Sequence, residues 1–246
     1  LGSNLERLLE KEGLTTGHEP DSVELSTLGG WISTNASGMK RNRYGNIEEV
    51  VEDITLVTPH GVVEEYHPMP RVAMGTQVQK ALFGSEGNLG LITRAVIKIH
   101  KLPEAKKYDA MVFKDWKTGV AFMYELKRTG VVPASIRLVD NIQFRFSQAL
   151  KPAPEGMGKV MDKVQSFVVK NVKHFDTHEM VAATIVYEGT ASEVEYQEKV
   201  LTGIARKYGG LSGGAANGER GYMLTYAIAY IRDLLAAYYI TGETYE

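Results

Sequence analysis

Hydrophobic spacing divides the chain into two textures. Leu5, Leu8 and Leu9 form a short helical stripe, after which His18 to Gly45 is dense in Gly, Ser, Thr and Asn with few periodic apolar positions. Val50 to Thr58 alternates apolar and polar residues and turns through TPHG into Val62 and Val63, which predicts a hairpin. GSEGNLGLIT follows at Gly84 to Thr93, then a buried strand at Ala95 to Ile99. After the breaker KLPE at Lys101 to Glu104 the rhythm is regular: strand Tyr108 to Phe113, helix Asp115 to Arg128, strand Ala134 to Val139, helix Asn141 to Leu150. A loose stretch around KPAPEGMG leads to a polar helix, a strand at Met180 to Tyr187, and a helix opened by Ser192 with Glu195 as a capping box. GGLSGGAANGERG then precedes a long apolar helix. The pattern predicts an α+β protein divided at residue 101, its second part an open sheet with helices on one face.

Charge narrows the functional classes. The 28 Lys and Arg against 30 Asp and Glu give a net charge of −2, without the basic excess of a phosphate-neutralising nucleic-acid binder. With no cysteine, disulfides, thiolate metal sites and a cysteine nucleophile are excluded. The apolar run Tyr222 to Ile240 carries Arg232 and Asp233 at its middle, so it reads as a buried helix rather than a membrane span. Leu1 to Gly13 lacks the apolar core of a signal peptide. His174 and His178 have i, i+4 spacing but no third ligand motif, and no G-x-S-x-G elbow is present, so metal and hydrolase readings are disfavoured.

Glycine is enriched, 25 of 246 residues. The two clusters, DSVELSTLGGWISTNASGMKRNRYGN and GSEGNLGLIT, combine it with hydroxyls. Glycine lets backbone N–H groups approach a phosphate-bearing ligand while Ser26, Thr27, Thr34 and Ser85 offer short hydrogen bonds; the plain alternative is ordinary turns. On the predicted strand, Ala134, Ile136 and Leu138 share one face and Ser135 and Arg137 the other. On the long helix, Thr225, Ala229, Arg232 and Ala236 fall on one stripe, small side chains beside a guanidinium. Tyr222, Tyr226 and Tyr230 form an i, i+4 ladder that suits polar pocket lining or core, core being preferred.

In these words the sequence resembles the vanillyl-alcohol oxidase and p-cresol methylhydroxylase class of FAD proteins, and within it the alkyldihydroxyacetonephosphate synthase family. GHEPDS, STLGGWISTNASGMK, SIRLVDN, NGERGYMLTYAIAYIRD and YYITGE carry the resemblance from about Thr15 onward. It implies that residues 1–101 are the C-terminal part of a PCMH-type FAD-binding domain and 102–246 a truncated α+β cap domain for substrate, built on an antiparallel sheet. The implied FAD contacts are Asp21, Ser22, Val23, Glu24, Leu25, Ser26 and Thr27; Thr34, Asn35, Ala36 and Ser37; and Glu86, Gly87, Asn88, Leu89, Gly90, Leu91 and Ile92. Asn35 stands where that family usually has Arg, and Asn88 where it has Thr. Arg137 matches an activity-critical arginine near the flavin, and Arg232 one that binds substrate phosphate, a role suited to the planar guanidinium fork.

The implied activity is exchange of the acyl chain of acyl-dihydroxyacetone phosphate for a long-chain fatty alcohol, using FAD without net redox; a 2-hydroxyacid dehydrogenase or aryl-alcohol oxidase is the alternative. The family further implies a peroxisomal homodimer with peripheral membrane contact, and no metal. Its upstream pyrophosphate loop and its downstream catalytic Tyr and His cluster have no match here, so the 246 residues are expected to be an internal piece that binds FAD weakly and does not turn over.

Overall fold

The computed structural model describes residues 1–64, 73, 75–149 and 175–240, with the backbone alone at 148, 149, 228, 229, 232 and 233. The polar helix predicted after KPAPEGMG and residue His174 lie outside this set. Contacts divide the chain into two compact units, Leu1–Pro103 with Tyr226–Glu246, and Glu104–Thr225. This division differs from the one read in the sequence at two places: the boundary falls after Pro103 rather than after residue 101, and the end of the long helix groups with the first unit.

In the first unit, α1 (Gly2–Glu10) sets Leu5 against the core, while Leu8 stays exposed. The strands β1 (Leu14–Thr15) and β5 (His100–Lys101) pair antiparallel. A second sheet has the order β3-β2-β4, from β2 (Val51–Thr58), β3 (Gly61–Glu64) and β4 (Leu91–Ile97). The predicted hairpin is present, closed by the pair Thr58 and Gly61. The strand expected at Ala95 to Ile99 instead begins at Leu91, inside the glycine segment, because Leu91 and Ile92 pair with Val57 and Leu56. The helices α2 (Leu28–Ser33), α3 (Arg41–Tyr44) and α4 (Ile47–Val50) and a short 3-10 turn, Val78–Leu82, complete the layer. Trp31, Ile32, Ile47, Ile54, Leu56 and Leu82 form its core.

The second unit holds an antiparallel sheet of order β7-β8-β6-β9, with β6 (Ala105–Phe113), β7 (Ser135–Val139), β8 (Val181–Gly189) and β9 (Leu211–Ser212). On one face lie α5 (Trp116–Thr129) and α7 (Ala191–Lys207), whose Phe122, Leu126 and Leu201 bury Met111, Phe113, Ile185 and Tyr187. The helix α6 (Asn141–Ala149) follows β7. Asp115 caps α5, accepting from the Thr118 amide, and Gly130 ends it in the left-handed region.

Three sequence expectations are corrected here. The capping box of α7 is Thr190 with Glu193, not Ser192 with Glu195; the chain turns at Gly189, φ 152°, and so presents Thr190 to the helix start. Such a cap contributes about 1 kcal/mol. The long helix α8 (Ala215–Ala237) begins within the glycine run rather than after it. Nor are the helices confined to one face, since the first half of α8 covers the other. A Cβ on Gly218 would lie 2.2 Å from the Asp109 carbonyl oxygen, and one on Gly221 2.4 Å from the Thr184 methyl. This double cover explains why β8 is buried along nearly all its length.

Candidate functional site

The three segments expected to meet FAD converge around α2. Thr27 caps the helix, its hydroxyl oxygen accepting from the Gly30 amide at 3.1 Å. At the other end the segments join through backbone: the Glu86 amide donates to the Ser33 carbonyl at 2.8 Å and the Gly84 amide to the Ile32 carbonyl at 3.2 Å. Ile92 lies beneath, its carbonyl oxygen 3.1 Å from the place a Gly29 Cβ would take. Thr34, Asn35, Glu86, Gly87, Asn88 and Leu89 are all exposed along this rim.

The rim backbone is held in an unusual conformation. Asn35 and Glu86 have φ of 50° and 48°, and Gly84 and Gly87 of 75° and 83°. Asparagine tolerates the left-handed region better than most residues, which accounts physically for Asn35 at its position. Glu86 is the strained one, at a cost on the order of 1 kcal/mol. Nothing lies within 4 Å of a Cβ built on Gly87. Backbone open on one side and fixed on the other suits the approach of a cofactor, and the residues present fit FAD.

The hydroxyls have more local work than their spacing suggests. Ser26 accepts from the Trp31 indole at 2.6 Å and donates to the Ser22 carbonyl at 2.7 Å. Thr34 donates to the Gly30 carbonyl, and Ser37 bonds the Asn46 side chain. Ser26 therefore serves the loop, whereas Thr27 keeps its proton and Thr34 its acceptor lone pairs for a ligand.

Glu19 and Lys40 had no weight in the sequence reading, and the polar ends of Tyr226 and Tyr230 gave no partner there. Tyr226 donates to Glu19, which also pairs with the nearly buried Lys40 at 3.2 Å. Tyr230 donates to Glu24 at 3.2 Å, inside the first cofactor segment. The tyrosine ladder is thus core only at Tyr222, which packs on Tyr108; the i, i+4 spacing was the signal, and its polar ends carried the meaning.

His18 is 1% exposed, faces Trp31, and fits only because Gly38 has no side chain. Burial pulls its pKa down to about 4, offset in part by the Gly45 backbone. The fold thus holds it neutral. Above pH 6.5 this changes nothing; as pH falls from there towards 4 the unfolded chain gains a proton that the native state refuses, and stability is lost. Denaturant titrations should show about 2 kcal/mol less stability attributable to His18 at pH 5 than at pH 7, a slope missing in His18→Gln. An equal slope in both proteins contradicts this assignment.

Arg137 points from β7 away from the core formed by Ile136 and Leu138, as the alternation requires. Its Nη1 donates to the Thr225 hydroxyl at 3.5 Å. Arg232 lies on α8 with its side chain outside the described residues, so the expected stripe can be followed only at Thr225, which is buried, and at Ala236, which is exposed. Among the described residues no group of three or more metal-binding side chains occurs, and no helix is long and apolar enough to cross a membrane.

Comparison with known proteins agrees with this arrangement. Residues 1–66 match the FAD binding domain model, and residues 102–246 match the model of the FAD linked oxidases, C-terminal domain. The alkyldihydroxyacetonephosphate synthase of Caenorhabditis elegans is 44% identical over 100% of this chain and 41% of its own length. That of Dictyostelium discoideum is 32% identical over 96% of the chain and 38% of its own. A solved alkyldihydroxyacetonephosphate synthase structure superposes with a TM-score of 0.82 at 33% identity, covering 96% of this chain and 42% of that one. The chain therefore spans about two fifths of the length of these relatives. The resemblance read from the glycine segments holds across nearly the whole chain, with an α+β fold and FAD as the family's cofactor, and the chain belongs to the FAD-linked oxidases, in kinship with their alkyldihydroxyacetonephosphate synthases.

Proposed function

We propose that this chain is part of an alkyldihydroxyacetonephosphate synthase, a transferase that exchanges the acyl chain of acyl-dihydroxyacetone phosphate for a long-chain alcohol with no net redox. The observation that carries this reading is the match of the named synthases over 96 to 100% of the chain, both glycine segments and the α8 helix included.

When bound, FAD supplies the covalent chemistry of the exchange. Asp21–Thr27, Thr34–Ser37 and Glu86–Ile92 would hold it, through open backbone at Gly87 and the unused valences of Thr27 and Thr34. The substrate's bond from carbon to the acyl oxygen breaks, the alcohol oxygen takes that carbon, and the alcohol's proton leaves with the fatty acid. Arg232 grips the substrate phosphate, a dianion that a planar fork meets with two parallel hydrogen bonds. Arg137 orients the reacting headgroup and offsets charge as the acyl group departs. The same reading carries a peroxisomal location, a homodimer and peripheral membrane contact. It also gives the 246 residues alone only weak FAD binding and no turnover.

Arg232→Ala in the full-length protein should raise KM for acyl-dihydroxyacetone phosphate at least tenfold, since a charged hydrogen-bond pair is worth roughly 1.5–3 kcal/mol. Flavin content should not change. An unaltered KM would remove Arg232 from the phosphate.

A further inference from the structure

Arg137 sits on β7, an outer strand of its sheet, opposite Thr184 of β8. A group that must meet a reacting headgroup within a fraction of an ångström needs its direction fixed. The first half of α8 supplies a neighbour at close range. Gly218 lies against the Asp109 backbone and Gly221 against the Thr184 methyl, each so near that a single Cβ would overlap. Only with that approach can a side chain as short as threonine, one turn after Gly221, reach the guanidinium. Thr225 does so, its hydroxyl 3.5 Å from Nη1 and its residue 5% exposed.

We propose that Thr225 is a positioning residue for Arg137, holding the guanidinium in its working direction through a buried hydroxyl that the glycine face of α8 brings down onto the sheet. The inference rests on the reading of Arg137 as a group at the reacting headgroup. Thr225 itself touches no substrate in this account. Valine at this position keeps the shape and loses the acceptor, whereas serine keeps the acceptor and loses only a methyl group.

In full-length protein loaded with FAD, Thr225→Val should lower kcat for the exchange reaction roughly tenfold, with flavin content and KM for acyl-dihydroxyacetone phosphate unchanged, and Thr225→Ser should stay within about twofold of wild type. In an Arg137→Ala background, adding Thr225→Val should cost less than about twofold, because the partner it acts through is gone. If Thr225→Val does not retain flavin, Thr225→Ala takes its place under the same expectations. Wild-type kcat in the valine variant overturns the proposal, as does a serine variant as slow as valine, which would assign Thr225 to packing. A full additional loss in the Arg137→Ala background overturns it too. Wild-type kcat in Arg137→Ala alone is a separate outcome: it removes the role of Arg137, and with it the object that Thr225 would position.

Discussion

Arg137→Ala in full-length protein is expected to lower kcat by roughly a hundredfold to a thousandfold, the range for losing one preorganised group that meets developing charge. The arginine stands on the face of β7 turned away from the core of Ile136 and Leu138, so its removal leaves that core intact. Its guanidinium donates to Thr225 of α8. Flavin absorbance and thermal midpoint should therefore stay near wild type while turnover falls. Arg137→Lys should recover little, because an ammonium keeps the charge but not the planar fork that the proposed role of Arg137 uses. A variant that loses flavin in proportion to activity would instead make Arg137 a structural residue.

The largest effect on stability is expected at Gly218. Alanine in a helix interior normally stabilises by about 1 kcal/mol relative to glycine. At Gly218 the new methyl would lie 2.2 Å from the Asp109 carbonyl oxygen and 2.6 Å from its amide nitrogen, in strand backbone that cannot swing aside. Overpacking of this kind costs roughly 1–3 kcal/mol and wins over propensity. Gly203 is the matched control: it lies in α7, and a Cβ there meets nothing within 4 Å. Denaturant midpoints should thus move in opposite directions, down for Gly218→Ala and up for Gly203→Ala. Parallel shifts would mean that α8 does not lie on β6 as described.

The glycines also show where the sequence was legible and where it was not. The words GSEG and STNASG carried a family resemblance, and their conformational demands are local: Gly84, Gly87 and Asn35 take left-handed backbone within their own loops. The faces of β7 followed from alternation alone. Gly218 and Gly221, by contrast, read as a glycine run ahead of the helix, since nothing nearby in sequence reveals that Asp109 of β6 and Thr184 of β8 press on them. The same limit applies to Thr190 and Ser192, which offer equal capping spacing until the turn at Gly189 selects one. Tyr226 and Tyr230 read either as polar pocket lining or as core, with core preferred; their hydroxyls find Glu19 and Glu24 more than two hundred residues away. Long-range partners decide these roles, and spacing along one element cannot contain them.

The central claim is an alkyl exchange without net redox, and label transfer tests it most directly. Full-length protein purified with its flavin is incubated with acyl-dihydroxyacetone phosphate and a labelled long-chain alcohol, with no electron acceptor present. The account predicts that label enters an alkyl ether of dihydroxyacetone phosphate, with one fatty acid released for each ether formed. Absence of label, together with reduction of a dye by a 2-hydroxyacid or an aryl alcohol, would contradict it and mark the protein as a redox flavoenzyme on the same scaffold.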